Sequence, residues 1–134
     1  MMQDTNWVIR GTIGENTSGV NMSDDNNLRD MVRLYFSRKF QYAEPEMPIR
    51  GKSGQKWKFD AIITYNNQKF GMFIRDWDRS IGVNQIRQLE KACRDTKCDG
   101  GIIIGKYFSP HAENFGENLG IQVIDQLTLQ SKIH

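Results

Sequence analysis

Cysteine, histidine and proline are scarce in this chain, and the scarcity removes whole classes of protein. Two cysteines, Cys93 and Cys98, are too few for a disulfide framework, and with no histidine near them they lack the spacing of a zinc cluster. Cys93 reads as helix packing and Cys98 as a helix-end residue. No apolar run approaches the roughly 18 to 20 residues that cross a bilayer. The opening MMQDTNW has neither the basic stretch nor the apolar core of a leader, so the expectation is a cytoplasmic protein with no membrane partner. Neither charge dominates: 18 Lys+Arg against 16 Asp+Glu leave a formal net charge of +2, which names no partner by itself.

What is present fits a single folded domain. The 134 residues, 38% hydrophobic and 25% charged, can bury one core but not two. The Gly/Asn/Ser-rich stretch GENTSGVNMSDDNN marks residues 1–22 as an extension to a domain over residues 23–134. Ser23 and the aspartates after it suit a helix N-cap and first turn. Leu28, Met31, Leu34 and Tyr35 then recur at helical spacing, and the helix should fade by Phe40.

From Trp57 to Tyr65 the period becomes two, with Trp57, Phe59, Ala61, Ile63 and Tyr65 on one apolar face. Asn66-Asn67 tolerates positive φ, and Gln68 to Trp77 reads as the returning strand of a hairpin. Val83, Ile86, Leu89 and Cys93 stripe a helix that ends near Asp95. GGIIIG is a strand buried on both faces; Ser109-Pro110 opens a helix with serine as cap, Gly120 closes it, and Ile121 to Ile124 is the last strand. The pattern is an α/β domain, a mixed sheet with helices on its faces.

Two features of this pattern bear on chemistry. The segment RGKSGQKWK carries Arg50, Lys52, Lys56 and Lys58 with no acid among them, and is either a solvated loop or one whose mobile backbone N–H groups and cations meet a phosphate. A two-residue turn at Asn66-Asn67 also sets Ile62 opposite Gly71, Asp60 opposite Phe73 and Lys58 opposite Arg75. Two cations facing each other across a ladder repel, unless Asp60 or a phosphate from outside sits between them. Trp77 shares the parity of Arg75 and is the candidate to stack on a base or sugar, while Trp57 joins the apolar face. His111 reads as a helix-start residue and His134 as tail.

With SGQKWKFDAIITYNNQKFGMFIRDW followed by IRQLEKACRDTKCDGGIIIGKYFSPHAENFGENLGIQVIDQLTL, the chain resembles the PD-(D/E)xK nuclease superfamily, and within it the Mrr-type restriction-endonuclease-like domains, over roughly residues 24 to 129. The resemblance implies a restriction-endonuclease-like mixed sheet flanked by helices, with an αβββαβ core followed by a helix and a strand. It also implies nucleic acid, DNA above all, as partner, and a homodimer as one form of assembly. In that family an aspartate on the first hairpin strand and an acid on the second bind Mg²⁺, and a lysine two positions on helps activate water. Carboxylate oxygens suit the hard metal, and the metal and cation steady the charge that develops at phosphorus.

Asp60 matches the first element and is the metal candidate, Phe73 stands where the second acid would be, and Arg75 stands at the lysine position. Arginine can clamp a phosphate but cannot act as a base. Asp60 and Arg75 are therefore the catalytic candidates, and Arg50, Lys52, Lys56 and Lys58 the DNA-binding ones. A second acid would have to come from Glu90, from Asp30, or from Asp76 through a bulge. Against that, Asp76 reads as a strand-end acid paired with Arg79, and Glu90 as a solvated helix charge.

The expectation is a DNA-binding protein with an impaired metal site. One alternative is a Mg²⁺- or Mn²⁺-dependent endonuclease, the only reading that calls for the metal. The other is an interaction subunit that keeps the fold as a scaffold.

Overall fold

The computed structural model describes residues 27–133. The expected extension over residues 1–22, the cap at Ser23 and the tail residue His134 lie outside them. Helix α1 (Leu28–Lys39) starts at Asn27, whose side chain accepts the N–H groups of Arg29 and Asp30 and so fills the capping role expected of Ser23. Its apolar stripe buries Leu28, Met31, Val32, Tyr35 and Phe36, and it ends before Phe40 as its spacing predicts.

The chain continues through the short strand β1 (Gln41–Ala43), the two-residue strands β2 (Ile49–Arg50) and β3 (Lys56–Trp57), then β4 (Ala61–Tyr65) and β5 (Gln68–Arg75). Helix α2 (Val83–Asp95), β6 (Gly100–Gly105), α3 (Ala112–Leu119), β7 (Ile121–Asp125) and α4 (Gln126–Ile133) follow. The main sheet runs β1-β4-β5-β6-β7, with β2 and β3 forming a separate ribbon. The first three strands pair antiparallel, and β5-β6-β7 are parallel because a helix intervenes before each of the last two. Without the ribbon, the order α1-β1-β4-β5-α2-β6 is the expected αβββαβ core, followed by α3 and β7.

Two cores sit on the two faces of this sheet. One joins α1 and α4 to Ala61, Ile63, Met72, Ile74, Ile102 and Ile104; the other joins α2 to Phe59, Phe73, Ile103 and Ile121. GGIIIG therefore is buried on both faces, its isoleucines alternating between the cores. Asn66 and Asn67 both take positive φ, 53° and 66°, and the ladder pairs Ile62 with Gly71 as expected. Gly120 closes α3 in the left-handed region, at φ 77°.

Three local expectations are corrected. The strand expected from Trp57 to Tyr65 is broken at residues 58–60: Trp57 pairs with Ile49 in the ribbon, and the main ladder begins at Ala61 opposite Met72. The break turns Phe59 away from Ala61 and Ile63 and into the α2 core, where its ring fills the place a Cβ on Gly71 would take. The second strand stops at Arg75, two residues short of Trp77. Helix α3 starts at Ala112 with His111 at the cap, while Ser109 contributes only its carbonyl, to the Ala112 N–H. The edge strand β1 and helix α4 are additions to the elements read from the hydrophobic pattern.

Candidate functional site

At the break in the hairpin, Asp60 replaces a missing stretch of ladder. Its N–H donates to Met72 O, and its Oδ2 accepts the Ile74 N–H at 2.8 Å, so backbone and side chain together continue the edge of β5 past the end of β4. The same Oδ2 accepts Arg75 Nη1 at 3.0 Å, and Oδ1 accepts Arg29 Nη2 at 2.9 Å. Arg75 also donates its Nε–H to Gln85 Oε1 at 2.8 Å, and its guanidinium carbon lies 4.1 Å from the centre of the Phe73 ring. Burial pulls the Arg75 pKa below its ordinary value, against the attraction of Asp60.

Asp60, Phe73 and Arg75 are thus brought together, and Lys58 is not. Lys58 lies in the break, exposed and outside the ladder, so the expected repulsion across from Arg75 never arises. The charge next to Arg75 is met by Asp60, with Arg29 on its other oxygen. Arg29 and Gln85 were missed by sequence reasoning. Gln85 falls in the first turn of α2, and Arg29 faces the site only because α1 starts where Asn27 caps it.

Phe73 is buried, with its ring 6.2 Å from that of Phe59. Trp77 packs against the edge of the same core and is covered by Arg79, 4.4 Å from its ring centre, and by Arg75 at 5.7 Å. A base stacking on that indole would have to displace Arg79.

These residues do not fit a magnesium ion. Hard divalent cations want several oxygen donors, and here both Asp60 oxygens already accept guanidinium groups while Phe73 offers a ring. The acids considered as replacements are engaged elsewhere: Asp76 with Lys106 at 3.4 Å, not with Arg79 as expected, Glu90 with Arg94 at 3.1 Å, and Asp30 with Arg33 at 2.9 Å. Among the described residues no three His, Cys, Asp or Glu side chains converge as a metal-binding group.

The basic segment is a docked hairpin rather than a mobile loop. Asp95, at the end of α2, accepts the Ser53 N–H and Oγ–H and the Trp57 Nε1–H on its carboxylate, and the Lys52 N–H on its carbonyl. Gly51 packs against it, where a Cβ would overlap the carboxylate. The Trp57 and Ser53 hydrogen bonds hold the Asp95 carboxyl below its ordinary pKa. Gly51, Gly54 and Gln55 also donate within the segment, so every backbone N–H from residue 51 to residue 55 has an internal acceptor. Over residues 51–55 what the segment can offer an anion is its side chains. Arg50, Lys52, Lys56 and Lys58 are all exposed, and among the described residues none is in a salt bridge.

Comparison with known proteins agrees with this geometry at the level of family and fold. A restriction endonuclease family model of the Mrr catalytic type matches residues 33–133, most of the chain. The crystal structure of AF1548, a protein of unknown function, superposes with a TM-score of 0.62 at 13% identity. The match covers 72% of this chain and 54% of that one, so this chain spans about half its length and the likeness is one of fold. No curated protein sequence matches the chain. The sheet order, the hairpin that carries Asp60 and the family match lead to one assignment: the chain belongs to the Mrr-type restriction endonuclease family of the PD-(D/E)xK superfamily.

Proposed function

We propose that the protein grips a nucleic-acid backbone, DNA by its family membership, and does not cut it. The observation that carries this reading is the state of Asp60. A carboxylate bonded through both oxygens to Arg29 and Arg75, beside an aromatic ring, is a poor cation ligand. Among the described residues the cluster holds two guanidiniums to one carboxylate, which favours an anion. Among the described residues Asp60 and Gln85 take two of the five Arg75 N–H groups, which leaves three for a phosphate. Arg50, Lys52, Lys56 and Lys58, on the docked ribbon and the turn that leads to Asp60, add exposed positive charge without base-reading geometry.

Retention of duplex DNAs of unrelated sequence, measured across a salt series, tests the binding. Affinity should fall steeply with salt, and Lys58→Ala should weaken all sequences alike and lower the salt slope by about one. Incubating plasmid DNA with the protein and Mg²⁺ or Mn²⁺ tests the chemistry. Intact plasmid is expected, whereas cleavage abolished by Asp60→Asn would make the protein an endonuclease. Absence of both cleavage and retention at low salt would leave a scaffold subunit.

A further inference from the structure

We propose that Cys93 and Cys98 are a redox-active dithiol, closed by a hydroperoxide into an intramolecular disulfide. The placement follows from how α2 ends. Thr96 is the C-cap, Lys97 takes a left-handed φ of 66°, the Cys98 N–H donates to Cys93 O at 2.8 Å and the Lys97 N–H donates to Arg94 O at 3.4 Å. This is the Schellman pattern, which brings the side chain just past the helix end against the one a turn before it. That contact is ordinarily between two apolar residues; here both positions are cysteines with free thiols.

The two sulfurs differ in the way such chemistry requires. Cys93 is buried under β6, its Sγ 3.0 Å from where a Cβ on Gly101 would stand, and the neighbouring Cys98 together with burial pushes its thiol pKa up. Cys98 is partly exposed, with Thr96 Oγ1 at 3.5 Å from its sulfur, and the neighbouring Cys93 pulls its thiol pKa down, helped by Thr96 and Lys69 and opposed by burial and Asp99. The Cys98 thiolate attacks the terminal oxygen of the hydroperoxide, breaks the O–O bond and leaves a sulfenic acid and an alkoxide, which is hydroxide when the oxidant is hydrogen peroxide. The Cys93 sulfur then attacks that sulfenic sulfur; the S–S bond forms, the S–O bond breaks, and the thiol proton departs with the oxygen as water.

The test is intact mass and thiol alkylation of the full chain after brief exposure to dilute hydrogen peroxide. A monomer lighter by two hydrogen atoms is expected, with both cysteines protected from alkylation until dithiothreitol is added. Cys93→Ser should stop at a sulfenic acid on Cys98, trapped by dimedone. If that variant fails to fold, Cys98→Ser serves instead, and should leave Cys93 unoxidised and slow to alkylate. Disulfide-linked dimers, sulfinic acid on Cys98 of the unmodified protein, or no change in mass would each overturn the proposal.

Discussion

Asp60 Oδ2 accepts Arg75 Nη1 at 3.0 Å and the Ile74 N–H at 2.8 Å, so one oxygen both neutralises the guanidinium and completes the strand that carries it. The aspartate that the sequence pattern offers as a metal ligand thereby does structural work. Its two ion pairs are unequal, since the Arg75 side chain is 20% exposed and the Arg29 side chain 48%.

Asp60→Ala should therefore destabilise the fold by about 3 kcal/mol, because it strands a largely buried guanidinium and a strand-edge N–H. Asp60→Asn keeps an acceptor for Ile74 and should cost clearly less. Arg29→Ala should cost no more than about 1 kcal/mol, since water screens that pair. Urea denaturation of the three variants checks the order. Asp60→Asn is for this reason the fair variant for cleavage and binding assays.

Phe73→Ala should cost about 3–5 kcal/mol, as a buried ring lost from between Phe59 and Arg75. Arg75 would lose the surface it lies on, so DNA retention should weaken even under conditions where the variant is folded. Denaturant midpoint and retention, measured on one preparation, check both effects.

Acid should release the basic hairpin before the fold melts. The Asp95 carboxyl is held below its ordinary value, so its grip on Trp57 and Ser53 is complete above the ordinary aspartate pKa of about 3.9. That grip is lost as pH falls through the lower folded-state value. The Trp57 indole N–H resonance should shift in that acidic window while the amides of β6 stay protected. In Asp95→Asn the acid-induced shift should disappear.

The parts of the fold that are legible in the sequence are those decided within a few residues. Asn66-Asn67 forms the hairpin turn because both side chains tolerate positive φ, and GGIIIG is a central strand because a short β-branched run between glycines suits burial on two faces. Strand β1 is three residues long, with Tyr42 as its half-buried residue, too short to show a period. Helix α4 rests on Asp125, whose side chain accepts the Thr128 N–H at 2.8 Å; strand and helix meet there with no breaker between them.

The sequence by itself determined the types of residue available to the site: an aspartate before the hairpin, an aromatic ring and an arginine on its second strand, and a run of cations ahead of it. Tertiary structure alone decided how they are used. Strict alternation would keep Phe59 with Ala61 and Ile63, but the slot over Gly71 draws its ring to the opposite core, and that break swings Asp60 onto the edge of β5 while Lys58 stays outside. The partners that then fix the arrangement, Arg29 from α1 and Asp95 from α2, are distant in the chain. Their placement follows from the packing of two helices against opposite faces of the sheet, a long-range outcome that no local periodicity encodes.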